Sequence, residues 1–270
     1  MSIYWSQDTI DTGISIHALA LGDSWLYYIR SNLLTAIDRH IGTRNILAFG
    51  ANGERANGLK SYVNQIKDFL KTYWTIKAVI ISAGGNDFAG IGDLDKVILN
   101  NKCENFVDVK SCYRENQPEN LFKEIINYYR EIIKTIIDTI KDSNRHIVVL
   151  VHNYDYPIPN GKFLIAFLHK FGPWLKDPMD NCGVRDADDP EAGLRRQICV
   201  DLIDKFTQEL RLLAKEYENN KYVSLELIDS AGTLSNDQWA NELHPTVKGF
   251  EKIVAKCWKK PIRKAIGLAD

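Results

Sequence analysis

Ser24 ends an apolar run, Ala18 to Leu21, that stops at Gly22-Asp23-Ser24 and gives way to Trp25, Leu26, Ile29, Leu33, Leu34 and Ile37. The first set reads as a buried strand and the second, at helical spacing, as one helix, with a tight turn between them. A hydroxyl at such a junction sits among unpaired N–H groups at the positive end of a helix, where developing negative charge is favoured. It can serve as a nucleophile whose own N–H helps to hold an oxyanion. By itself Gly-Asp-Ser reads more readily as an ordinary capped turn, because Asp and Ser are the usual helix caps. The chemistry therefore turns on what meets Ser24. Gly53, Asn86 and His152 follow at or just beyond the ends of other apolar runs, and His244 stands before a proline and a last amphipathic stretch.

The elements that would bring these residues together are readable in order. A strand near Asn45 to Phe49 leads into Gly50-Ala51-Asn52-Gly53-Glu54, and a helix follows with Leu59, Tyr62, Val63, Ile66, Phe69 and Leu70 on its apolar face. Ala78 to Ala83 is the clearest buried strand and runs into Gly84-Gly85-Asn86-Asp87. Pro118 opens a long helix reaching Ile137, after which the strand His146 to Val151 ends at His152. A helix from about Glu191 to Glu218, the strand Tyr222 to Ile228 and a final helix from about Val247 to Ile266 complete the chain.

Strand and helix thus alternate five times, and the strands are apolar almost throughout, the pattern of a parallel sheet covered on both faces. The expected fold is α/β: a three-layer α/β/α sandwich with a five-stranded parallel sheet in flavodoxin-like order. We expect one domain over residues 1–270, with irregular insertions at about 88–117 and 153–190 that cross the carboxyl ends of the strands and shape a pocket. Such sheets bind ligands beyond those ends, where the strand order reverses.

In four ordered blocks the chain resembles the SGNH (GDSL-type) hydrolase superfamily. Gly22-Asp23-Ser24 is similar to its nucleophile block, Gly50-Ala51-Asn52-Gly53-Glu54 to its glycine block, Gly84-Gly85-Asn86-Asp87 to Gly-x-Asn-Asp, and Asn241-Glu242-Leu243-His244-Pro245 to Asp-x-x-His. The resemblance spans nearly the whole chain. The Gly-x-Ser-x-Gly elbow of the α/β-hydrolases is absent, and Ser24 lies too early for that fold. The resemblance implies a serine esterase acting on small or medium acyl esters through an acyl-serine intermediate. Ser24 would be the nucleophile and His244 the base, with an oxyanion hole from the N–H groups of Ser24 and Gly53 and the amide of Asn86. Asp23 and Asp87 are expected to brace their turns through backbone hydrogen bonds.

One position departs from the family pattern. Asn241 stands where an aspartate is expected three residues before the histidine; an amide can accept the imidazole N–H bond but brings no negative charge to the imidazolium. Asn241 is thus one orienter to consider, beside Glu242, Asp237 or a backbone carbonyl, and slower turnover is the expected consequence. His152 is considered for substrate binding, although a strand-end histidine is more often a hydrogen-bonded wall residue. The aromatics Tyr154, Tyr156, Phe163, Phe167, Phe171 and Trp174 read as lid packing, with an acyl-binding wall as the lesser reading.

Composition narrows the rest. A net charge of −1 and 45% apolar residues describe an ordinary soluble globular protein, without the basic surface that nucleic acid or an anionic membrane needs. No apolar run approaches the roughly 20 residues that span a bilayer, and Met1-Ser2-Ile3-Tyr4-Trp5-Ser6-Gln7-Asp8 lacks the features of a secretory leader. A cytoplasmic location is the expectation. Five cysteines leave at least one unpaired; Cys199 and Cys257 read as core thiols, and Cys103 and Cys112 flank a loop that an oxidising setting could close. No spacing fits a metal site, so the chemistry is expected to need neither metal nor cofactor. Membrane contact enters only if the ester is a lipid, as for a (lyso)phospholipase; a carbohydrate O-acetyl esterase and a thioesterase fit the same residues. A catalytically silent binding module on the same fold is the alternative from another class.

Overall fold

The apolar runs form parallel strands. In the computed structural model, which describes residues 3–28, 31–101, 103, 108–166, 169–184 and 193–269, the main strands are β2 (Ala18–Gly22), β3 (Ile46–Gly50), β4 (Ala78–Ser82), β5 (Ile147–His152) and β8 (Val223–Ile228). A sixth, β1 (Ile3–Tyr4), pairs with β3 at the edge, so the sheet has six parallel strands in the order β1-β3-β2-β4-β5-β8 rather than five. A two-residue strand carries no periodicity to read, which is why it escaped the sequence pattern. The remaining five keep the expected flavodoxin-like order. Ala20 pairs with Ala48 on one side and Ile80 on the other, and every residue of β2 and β4 is buried. The order reverses about β2, so the turns leaving β2, β3 and β4 share one rim.

Helices α3 (Val63–Thr72), α5 (Glu119–Ile140) and α7 (Leu194–Glu216) pack side by side, and α7 also lies against β5 and β8. A second group, α2 (Leu33–Asp38), α8 (Val247–Ile253), a π-helical stretch Val254–Trp258 and α9 (Lys259–Ala265), packs together. The short helices α4 (Val109–Cys112) and α6 (Lys176–Asn181) belong to the two insertions. Among the described residues no helix is long and apolar enough to cross a membrane.

Three expectations change. The helix after Ser24 is two pieces, α1 (Ser24–Tyr27) and α2, because Asn32 starts a new helix: its side chain accepts from Thr35 N at 2.9 Å while Thr35 Oγ1 accepts from Asn32 N. The burial pattern survives the break, with Trp25, Leu26, Leu33, Leu34 and Ile37 all inward; Ile29 lies outside the described residues. The 153–190 insertion is not wholly irregular, since β6 (Leu164–Ala166) and β7 (His169–Phe171) form an antiparallel hairpin. Phe167, read as lid packing, lies outside the described residues. The 88–117 insertion is closed by a Cys103–Cys112 disulfide. Of the two thiols read as core, Cys199 is buried and Cys257 only half-buried.

Glycines let the strand ends crowd. Gly22 has φ +152, and a Cβ there would stand 2.0 Å from the Ser82 carbonyl oxygen; a Cβ on Gly50 would stand 2.0 Å from the Gly22 oxygen. Neither obstacle is a flexible side chain, so the backbone itself would have to move. Gly22→Ala should therefore cost about 4 kcal/mol or more, the range of buried overpacking combined with backbone strain. Urea unfolding of the purified variant checks this, a midpoint close to that of the parent contradicting it.

Candidate active site

Asp23 caps α1 and so presents Ser24 at its first turn: Asp23 Oδ1 accepts from Trp25 N at 3.0 Å. The same carboxyl accepts from Ser82 Oγ at 2.8 Å and, through Oδ2, from the Tyr154 hydroxyl. Tyr154 in turn accepts from Gly85 N at 3.1 Å, next to Asn86. Burial pushes the Asp23 carboxyl up to about 6, against the opposing pull of the Tyr154, Ser82 and Trp25 hydrogen bonds.

The second and third blocks are tied to each other as well. Asn86 Nδ2 donates to the Glu54 carbonyl at 2.9 Å, which fixes the amide and leaves its second hydrogen for the cleft. Asp87 Oδ2 accepts from Ala56 N at 2.9 Å, and burial raises this carboxyl also to about 6. Both aspartates thus hold backbone N–H groups, as expected. Gly53 has φ +77, a backbone shape that favours glycine, and a Cβ there would meet open space. Among the described residues the N–H groups of Ser24 and Gly53 have no acceptor within the chain.

His244 is buried and reaches Ser24 across the whole chain, with Nε2 2.8 Å from Ser24 Oγ. Its other nitrogen lies 3.0 Å from Asn241 Oδ1. That oxygen also accepts from the N–H groups of Leu243 (3.0 Å) and His244 (2.9 Å), while Asn241 Nδ2 donates to the Tyr28 hydroxyl at 3.1 Å. Two backbone donors identify the amide oxygen, so Nδ1 must carry the hydrogen and Nε2 must accept from Ser24. The ring is stacked on Tyr28, centroids 4.1 Å apart, and meets the edge of Trp174. Burial lowers its pKa to about 3, so the imidazole is neutral across the ordinary pH range.

Ser24, Gly53, Asn86 and His244 therefore border one cleft of about 320 Å³, walled by Trp174 and Phe171. The other orienters considered for His244 lie elsewhere. Asp237 is exposed and accepts from Ser235 Oγ. Glu242 is fully buried and turned away: Oε1 accepts from Gly161 N (2.9 Å) and Lys176 N (3.0 Å), and Oε2 from Trp174 N (2.6 Å) and Leu175 N (2.8 Å). His152, weighed for substrate binding, lies behind the Ser24 turn instead. It is fully buried, with Nε2 2.8 Å from Ser82 Oγ and its ring against Trp25, Tyr154 and Trp258, and it lines neither the cleft nor the pocket beside it. One residue of the cleft carried no sequence signal, Tyr28, the platform under the imidazole; Trp174, read as lid packing, meets the imidazole edge.

The family model described as GDSL-like Lipase/Acylhydrolase matches residues 19–257. No curated protein matched the sequence. Among solved structures, the lipase Lip_vut3 from a goat rumen metagenome is 12% identical, with 93% of this chain and 97% of that one covered and a TM-score of 0.55. A protein from Parabacteroides merdae ATCC 43184 named as a GDSL-like lipase is also 12% identical, covering 94% and 97%, with a TM-score of 0.52. At such identities the structures speak for the fold alone.

The Glu242 carboxylate gives a test of how the site is braced. In Glu242→Gln the amide NH₂ would face two backbone donors, each lost hydrogen bond costing about 1–3 kcal/mol. We expect a melting temperature lower by several degrees and faster proteolysis near residues 161–176, read by mass spectrometry of limited digests; an unchanged digest would contradict the anchoring.

Proposed function

The chain belongs to the GDSL-like lipase/acylhydrolase family of carboxylic ester hydrolases, and from that premise we propose that it is a serine esterase that forms an acyl-serine intermediate on Ser24. The observation that carries this reading is the 2.8 Å contact between Ser24 Oγ and His244 Nε2, with the tautomer set by Asn241. Ser24 Oγ attacks the ester carbonyl carbon as His244 Nε2 takes its proton. The carbonyl oxygen becomes an oxyanion and receives hydrogen bonds from the N–H groups of Ser24 and Gly53 and from Asn86 Nδ2. An oxyanion-hole donor of this kind contributes about 3–4 kcal/mol to the barrier.

Collapse of the tetrahedral adduct breaks the bond to the alcohol oxygen, and His244 gives that oxygen the proton it holds. Water then attacks the carbonyl carbon of the acyl-serine, again passing a proton to His244; the bond to Ser24 Oγ breaks, His244 returns the proton to that oxygen, and the carboxylic acid leaves. Asn241 keeps the ring in place throughout, as a neutral partner. The imidazolium formed at each step is stabilised by stacking and a hydrogen bond and lacks an adjacent carboxylate, which supports a slower enzyme than an aspartate would give. The esterase reading stands against a silent binding module because the proton acceptor and the hydroxyl are already in hydrogen-bond contact.

A fluorophosphonate probe should label the folded protein at Ser24, and Ser24→Ala should abolish labelling; a folded parent protein that never labels removes the proposal. The pH profile gives a second check. Because His244 must be neutral to accept a proton, its activity limb falls only as pH drops through about 3. Asn241→Asp places a negative charge beside Nδ1, favours the imidazolium and so moves that limb to higher pH. One pKa unit gained by the imidazolium is about 1.4 kcal/mol, so the plateau rate should rise about tenfold. If kcat and the limb both stay where they are in a folded variant, Asn241 does not orient His244.

A further inference from the structure

A second, much smaller pocket opens beside Ser24. It holds about 40 Å³ and is bordered by Ser24 and Asn86 but not by His244, its walls including Phe88, Ala89, Leu175 and Ile203. Asp23, Tyr154 and Asp155 also touch it, yet their polar atoms are occupied. Asp23 and Tyr154 bond to each other, and Asp155 accepts from the N–H groups of Tyr156, Gly232 and Leu234 at 2.6 to 2.7 Å. The pocket therefore presents hydrocarbon and no unengaged charge to whatever enters it.

The geometry of acyl transfer assigns the two spaces. Once Ser24 Oγ has bonded to the carbonyl carbon, three substituents remain. The oxyanion must face Asn86 and Gly53. The leaving oxygen must face His244 Nε2, which protonates it, so the alcohol extends into the larger cleft that His244 borders. The acyl chain takes the third direction, into the space that touches Ser24 and Asn86 and is out of reach of the imidazole. Resting on the esterase reading above, we infer that the small pocket is the acyl site and that the enzyme takes short acyl esters, acetyl to butyryl, of bulky alcohols. The small pocket is much the tighter of the two spaces, so the acyl chain is the substituent held to a few atoms. The alcohol cleft has about eight times that space and an exposed aromatic rim at Phe171.

The test is a p-nitrophenyl ester series with acetyl, butyryl, hexanoyl and octanoyl groups, run beside fluorophosphonate labelling of the same preparation. Acetate and butyrate should be turned over comparably, and kcat/KM should fall about a hundredfold from butyrate to hexanoate and further to octanoate, since each excluded methylene costs about tenfold. Ile203→Ala, which widens the pocket, should raise the hexanoate-to-acetate ratio, whereas Trp174→Ala in the alcohol cleft should leave that ratio as it is. Labelling at Ser24 together with octanoate hydrolysis as fast as that of butyrate overturns the acyl assignment and leaves the esterase reading intact. The acyl assignment is likewise overturned if Trp174→Ala shifts the chain-length ratio and Ile203→Ala does not. Absence of both labelling and turnover removes the esterase reading and this assignment with it. The parent series decides even if a variant fails to fold.

Discussion

One buried carboxyl group holds the rim of the sheet in register. Asp23 collects the N–H of Trp25 from its own turn, the hydroxyl of Ser82 at the end of β4 and the hydroxyl of Tyr154 beyond β5. Through Tyr154 it reaches Gly85 N, one residue before Asn86. Ser24 and Asn86, far apart in the chain, are thus fixed to one another by a side chain that does not face the cleft. In the proposed reaction Ser24 Oγ must reach a carbonyl carbon whose oxygen Asn86 holds, and misplacement by about 1 Å can cost a hundredfold in rate. Burial of the carboxyl is the price of this junction, and its raised pKa records that cost.

The other carboxyls near the site follow the same rule. Asp87 joins the β3 and β4 turns through Ala56 N, and Glu242 joins the histidine block to residues 161–176. Each carries charge-assisted hydrogen bonds to backbone N–H groups, the strong kind in a low-dielectric interior. None is hydrogen-bonded to the imidazole, whose partners are Asn241 Oδ1 and Ser24 Oγ. The polar groups bordering the cleft are accordingly neutral: the hydroxyls of Ser24 and Tyr28, the amides of Asn52 and Asn86, N–H groups and an uncharged imidazole. In the proposed reaction a developing oxyanion would meet donors and no like charge, and an asparagine beside His244 fits that pattern.

How much of this could be read from residues alone depended on whether the cause was local. The strands of the sheet are continuous apolar runs such as Ala78 to Ser82, and burial on both faces leaves that signature directly. That Ser24, Gly53, Asn86 and His244 would meet at one cleft was legible because each lies in or beside a connection between elements, and turns constrain residue type. The break between α1 and α2 was hidden because the apolar spacing runs through it, although the Asn32 and Thr35 cap was there to be seen. His152 was left between a hydrogen-bonded wall residue and a substrate contact for another reason. Its place at a strand end was correct, but the rings of Trp25 and Trp258 that pack against it come from opposite ends of the chain.

The walls of the cleft were illegible on different grounds, and Glu242 explains why. The segment 161–176 is held by four of its own main-chain N–H groups donating to one carboxylate. Backbone donors are the same in nearly every residue, so that anchoring leaves no pattern in the segment it anchors; the only trace is a glutamate two residues before His244. An insertion held in this way is free to vary its side chains without losing its place. Trp174 can then meet the imidazole edge while Leu175, its neighbour, lines the small pocket on the other side. The division of the cleft into two unequal spaces thus follows from where one carboxylate grips the chain, and the side chains that fill the walls are left to set what fits.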